Sequence, residues 1–262
     1  TERGVHKRIY TNNDSPESTN TATVTSFNSD GFSIGDNSFV NSGPTDPSGP
    51  GEHVSWTFRK APGFFDVVTY TGVSGTQTIS HNLGSVPGMI IVKELNQGME
   101  WCVYHRSLGN GKRLQLNSDV PAETNSIYWP SEPTSTTFTV GNDGSNGFPN
   151  WNYVAYIFAH DDQSFGTNGD ESIIKFGSFN YAGGTPLEVQ LGWEAQWVLV
   201  KQTNGTDSWF LTDTMRGMIN GDGTYVQPNT SNAEGPYGIA GATSTPTFTK
   251  TFNCDRVRNE EW

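Results

Sequence analysis

Short apolar runs alternate with polar, glycine-bearing gaps along the whole chain, and no convincing amphipathic helix of ten or more residues stands out, although residues 259–262 could start one. Between residues 67 and 159 the runs are VVTYTG, ISHNLG, PGMIIVK, EWCVYHRS, RLQLN, TFTVG and NYVAYIFA. Each is rich in β-branched and aromatic residues and is bounded by Gly, Asn, Pro or Ser, which is the signature of strands joined by turns. The pattern predicts an all-β chain. Within each strand, alternation would bury one face and leave the other wet. Residues 53–60 alternate in the same way, with Val54, Trp56 and Phe58 set against Ser55, Thr57 and Arg59, and predict a half-buried strand.

The runs also recur. Leu83-Gly84, residues 89–93 and Trp101 reappear as Leu191-Gly192, residues 197–201 and Trp209, each 108 residues further on. Val67-Val68-Thr69-Tyr70 returns as Ile173-Ile174-Lys175-Phe176. Upstream, residues 31–35 (GFSIG) align with 137–141 (TFTVG), and Val54, Trp56 and Phe58 align with Val154, Tyr156 and Phe158. Arg3-Gly4 aligns with Arg216-Gly217, and residues 12–17 with 229–234. A period this long indicates strung domains rather than a short-repeat solenoid. The expected organisation is tandem β-sandwich-like repeats of about 100 residues. Residues 1–66 form the second half of a first repeat, 67–161 a complete central repeat, and 172–262 a third repeat lacking its last strand. Both ends therefore read as partial repeats, and the unpaired strand edge this leaves would need a cover.

Composition narrows the setting. Charged residues are 16% of the chain, so Ser, Thr, Asn and Gly must supply most of the surface polarity. The net charge of -12, with 15 scattered basic residues, argues against a nucleic-acid partner, because neutralising phosphates takes a Lys/Arg face. No apolar run reaches membrane-spanning length, so insertion into a membrane is not expected. Cys102 and Cys254 occupy non-equivalent positions. A bridge between them would have to cross two repeats, and the competing reading is a pair of free thiols.

Candidate chemistry is sparse. Residues 31–35 fit the G-x-S-x-G spacing of a hydrolase nucleophile, but that motif needs a strand, a sharp turn and a helix, and here turns flank a strand. His6, His53, His81, His105 and His160 show no zinc-type spacing. Asp161, Asp162, Asp170 and Glu171 gather around a glycine-bearing segment and could offer oxygen ligands to Ca²⁺; a solvated linker explains the same residues. Glycoside cleavage needs two facing carboxylates, and nothing pairs Glu94, Glu100, Glu123, Asp213 or Glu234. Glu17, Glu123 and Glu234 recur after Asn12, Asn117 and Asn229, which suits a structural turn or cap. No cofactor is implied and an enzyme is not expected. Trp129, Trp151 and Trp193 lie beside Pro, Asn or Gly in predicted loops. As exposed loop aromatics they are the candidate ligand-binding residues, suited to stacking on sugars; the alternative is that they plug the ends of the sandwich.

The series from VVTYTG through NYVAYIFA, followed by KFGSF and W-V-L-V-K, resembles a repeated domain of tail and tail-fibre proteins of marine tailed bacteriophages. Asp213-Thr214, Arg216-Gly217, Asn229, Ala233-Glu234 and residues 26–35 (SFNSDGFSIG) share in the likeness, which covers nearly the whole chain. The resemblance implies a virion structural protein of the extracellular particle, a tail fibre or appendage that contacts the host surface. Its implied partners are other virion proteins, a host polysaccharide or protein, and further copies of itself, a homotrimer being common among fibres. Capsid decoration and a tail-associated depolymerase are the alternatives.

Overall fold

The structure is a computed structural model that describes residues 2–43, 51–180, 188–216, 224–235 and 251–253. It is all-β. The first region holds β1 (Lys7–Arg8) paired with β2 (Ser18–Thr19), and β3 (Val24–Phe27) paired with β4 (Phe32–Ile34). The central region holds β5 (Phe65–Thr71), β6 (Gln77–Ser80), β7 (Pro87–Glu94), β8 (Cys102–His105), β9 (Lys112–Gln115), β10 (Glu123–Thr124), β11 (Thr137–Val140) and β12 (Asn152–Ala159). The last region holds β13 (Glu188–Gln190), β14 (Trp197–Val200), β15 (Phe210–Asp213) and β16 (Thr251–Asn253), with a 3₁₀ turn at Thr214–Arg216.

The centre is a six-stranded antiparallel sheet in the order β10-β9-β8-β7-β12-β5. Strands β6 and β11 form a separate two-stranded ladder. On one face of the sheet Ile90, Val92, Tyr104, Tyr153, Ala155 and Ile157 pack with Ile79, Phe138 and Val140 of that ladder and with Leu83 and Trp129. The other face carries Met89, Ile91, Trp101, Val103, Leu114 and Phe158. That face is not wet. Trp209, Leu199, Ile174 and Phe176 of the last region cover it, together with Ile9 of the first. Covering both faces explains why all eight residues of β7 are buried, and why β7 reads as an apolar run rather than an alternation.

The flanking regions touch the centre through matched bonds. Trp101 Nε1 donates to the carbonyl of Tyr10 (2.9 Å), Lys93 Nζ to that of Asp14 (3.0 Å), and the amide of Glu17 to that of Leu95 (3.0 Å). On the other side Trp209 Nε1 donates to Gln115 O (2.8 Å), Lys201 Nζ to Asp119 O (3.1 Å), and the Ala122 amide to Thr203 O (2.8 Å). In every pair the first-mentioned junction maps onto the second by one constant offset for each partner strand, 108 residues for 93, 95 and 101, and 105 for 10, 14 and 17. Gly84 and Gly192, equated by the sequence, both adopt left-handed φ, 75° and 89°, which a residue with a Cβ resists.

Residues 53–60 depart from the expectation of a strand. They join no ladder, and Val54, Trp56 and Phe58 are 43%, 39% and 41% exposed. Residues 173–176, aligned with β5, also form no strand. In the central region the strands aligned with them by sequence pair with each other, β12 lying between β5 and β7, whereas among the described residues neither flanking segment pairs in a ladder.

Candidate functional site

The connection from β11 to β12, residues 141–151, forms the candidate site. Polar groups packed beneath it set its shape. Asp143 caps the turn, its carbonyl accepting from the amides of Asn146 (3.2 Å) and Gly147 (2.8 Å) and its carboxylate from the amide of Ser145 (2.9 Å). The Tyr153 hydroxyl accepts from the amide of Phe148 (2.9 Å) and donates to Gly144 O (3.1 Å). The Tyr70 hydroxyl donates to Asn146 O. Burial raises the pKa of both phenols, which keeps them protonated and able to donate. A Cβ on Gly72 would sit 2.2 Å from Phe148 O, so only glycine lets β5 run this close beneath the loop.

This framework holds two rings at the surface. Phe148 is 42% exposed and Trp151 half-buried, and their centroids are 4.6 Å apart, tilted by 42°. The inner edge of Trp151 packs on the core, with Met99 brought in over Gly144. Exposed asparagines flank Trp151 in the sequence. Asn150 stands in a left-handed turn (φ 65°). Thr71 Oγ1 donates to Asn152 Oδ1 (2.8 Å), and the Asn152 amide donates to Asn96 Oδ1 (2.9 Å). An apolar ring surface in an asparagine-bearing segment is suited to the C–H face of a sugar.

Of the three tryptophans read as exposed loop aromatics, only Trp151 meets that description in part. Trp129 is 0% exposed, buried between Tyr104 (5.6 Å) and Phe138 (6.4 Å), because the loop carrying it folds down over the sheet. It plugs the core and is no ligand platform. Trp193 is half-buried in the last region, its indole Nε1 buried without an acceptor, and among the described residues no ring contact joins it to Trp151. The sequence reading missed Phe148. The signal available was its position in an Asn/Gly-rich loop three residues before Trp151.

The acidic group does not converge. Asp161 pairs with Lys175 (3.4 Å), Asp162 lies against Gly63, and Glu171 bridges to Phe165 through backbone bonds; Asp170 joins none of them. Among the described residues no three His, Cys, Asp or Glu side chains are placed to hold a metal. The carboxylates considered for glycoside cleavage are mostly occupied. Glu94 is fully buried and accepts from the amides of Asn96, Gln97 and Gly98. Glu123 pairs with Arg113 (2.7 Å), and Asp213 and Glu234 pair with Arg216 (3.0 and 3.6 Å). Glu17, at the recurring position, pairs with Arg3 (2.6 Å). Ser33 of the G-x-S-x-G spacing lies on the β3–β4 hairpin and accepts from Asn28 Nδ2 (3.1 Å), with no helix following among the described residues.

Cys102 is a free, fully buried thiol whose pKa burial pushes up to about 12, so it is held unreactive; Cys254 lies outside the described residues. Beneath it runs a polar network that sequence reasoning did not find. Arg113 Nη1 donates to Ser145 Oγ (2.8 Å), and its guanidinium stacks 4.0 Å from the Tyr128 ring centroid. This network ties β9 to the 141–151 loop.

No helix among the described residues is long and apolar enough to cross a membrane. No curated protein and no solved structure matches the chain. Residues 1–243 match a domain of unknown function (DUF7483), and the chain belongs to that family.

Proposed function

We propose that this chain is a structural protein of a tailed-bacteriophage particle, a tail fibre or tail appendage, and that it meets the host cell surface through the Phe148–Trp151 platform. The observation that carries the contact reading is this aromatic pair, with Phe148 exposed and Trp151 half-buried in an asparagine-bearing segment of a chain poor in charge. Two junctions built from the same bonds support the scaffold part of the reading, since appendages are extended by repetition. The likeness of the strand-and-turn motifs to phage tail repeats supports the setting. Binding would be weak per site and gain strength from several copies on one particle. The role is non-enzymatic in this reading, and the salt-bridged or backbone-bonded carboxylates favour it over a depolymerase.

A second reading, a purely structural virion protein such as a capsid decoration, is favoured by the complete burial of Trp129. A glycan array probed with the purified chain separates the two. The host-contact reading expects binding that Phe148→Ser abolishes while the circular dichroism spectrum stays unchanged. Binding unaffected by Phe148→Ser and Trp151→Leu, or no binding by the parent chain to the array or to host cells, would leave the structural reading.

A further inference from the structure

We infer that the three repeats close into a ring around a pseudo-threefold axis, the third repeat returning onto the first through the contact that also joins the first to the second. At the first junction the Arg3 guanidinium, held by Glu17 at 2.6 Å, lies close enough to Tyr156 on β12 for its positive charge to favour the ionised phenol. At the return junction Arg216, held by Asp213 (3.0 Å) and Glu234 (3.6 Å), stands 5.4 Å from the centroid of the Trp56 ring. Trp56 Nε1 also donates to Asp213 Oδ2 (3.0 Å). The sequence equates the participants independently: Arg3 with Arg216, Glu17 with Glu234, and Tyr156 with Trp56. In both junctions an arginine clamped by its own repeat's glutamate faces the aromatic residue at the same position of the next repeat.

A second observation marks the axis. Phe58 and Phe158 are equivalent residues of the first and second repeats, and their rings touch edge to face at 5.7 Å. Along a straight stack, equivalent residues are separated by the full repeat translation. They meet only where a rotation axis passes close by. The third repeat contributes Trp197, 6.5 Å from Phe58, and Phe176, 6.3 Å from Phe158. Heterologous contacts that turn by the right angle close into a ring rather than a filament. The first repeat's segment is held in place for this by a short tether: Lys60 pairs with Asp66 (3.0 Å), and the Ala61 amide donates to Phe65 O (2.9 Å). The threefold character then belongs to one chain, with no need for a homotrimer to produce it. This inference rests on the junctions and is independent of the sugar-contact reading.

Fluorine NMR on the full chain labelled with 5-fluorotryptophan tests it. Trp56→Phe identifies the Trp56 resonance by its loss. Ring closure predicts that Arg216→Gln displaces that resonance and leaves the resonance of core Trp129 in place. The displacement must be the same over a hundredfold range of protein concentration. An unmoved Trp56 signal would overturn the closure. So would a signal that depends on concentration, which would assign the contact to association between chains. Should Arg216→Gln unfold the last region, Glu234→Gln provides the milder perturbation of the same clamp, with the same two outcomes.

Discussion

The central and last regions carry matching sequence motifs and fold to different extents. Strand β7 runs eight residues and is buried throughout, whereas β14, equivalent to its middle, runs four and is half-buried at every position. The difference is neighbours. Strand β7 lies between β8 and β12, but among the described residues β14 pairs with β15 alone. An apolar run records what a strand can bury; the strands beside it determine how much it does bury. The junction bonds behave differently. They recur with nearly the same lengths on both sides of the centre, because each needs only one side chain and one carbonyl.

The sharpest way to break this comparison is to cut the same position in both repeats. Ile90→Ala empties a fully buried site and should lower stability by about 3 kcal/mol, whereas Val198→Ala at the half-buried equivalent should cost about 1 kcal/mol. Urea unfolding of the two variants measures the gap, and equal losses would mean that β14 is as well packed as β7.

The junction lysines give a smaller, pH-dependent effect. Burial lowers the pKa of Lys201 to about 8, and that of Lys93 below its ordinary value. Between about pH 8 and the ordinary lysine value the unfolded chain binds a proton that the folded chain has released, so stability should rise with pH across that window. Lys201→Met should flatten this rise. A rise of the same size in the variant would show that the titration belongs elsewhere.

The smallest effects sharpen the claim that the two junctions are alike. Trp101→Phe and Trp209→Phe each remove one indole hydrogen bond to a carbonyl, worth about 1 kcal/mol. Equal losses are expected, and a marked inequality would argue against equivalent junctions.

Much of the fold was legible in the sequence. Strands β5, β7 and β12 stand out as β-branched and aromatic runs, and the constant offsets anticipate the paired roles of Trp101 and Trp209. Two things were not. Residues 53–60 alternate like a strand, but pairing depends on partners far away in sequence, and among the described residues none forms a ladder with them. Trp129 sits beside Pro130 in a segment without strand pairing, yet irregular backbone need not be exposed backbone. The Gly111 amide donating to Trp129 O (2.9 Å) is part of what pins that loop against the sheet, and neighbour polarity cannot reveal such a bond. At the candidate site Trp151 was found and Phe148 was not, because the ring pairing depends on how the Asp143 turn closes.

Immunogold labelling of intact phage particles with an antibody raised against residues 67–161 tests the central claim most directly. The account predicts gold at the tail tip or along the fibres. Label confined to the capsid, or absent from every particle, would contradict it.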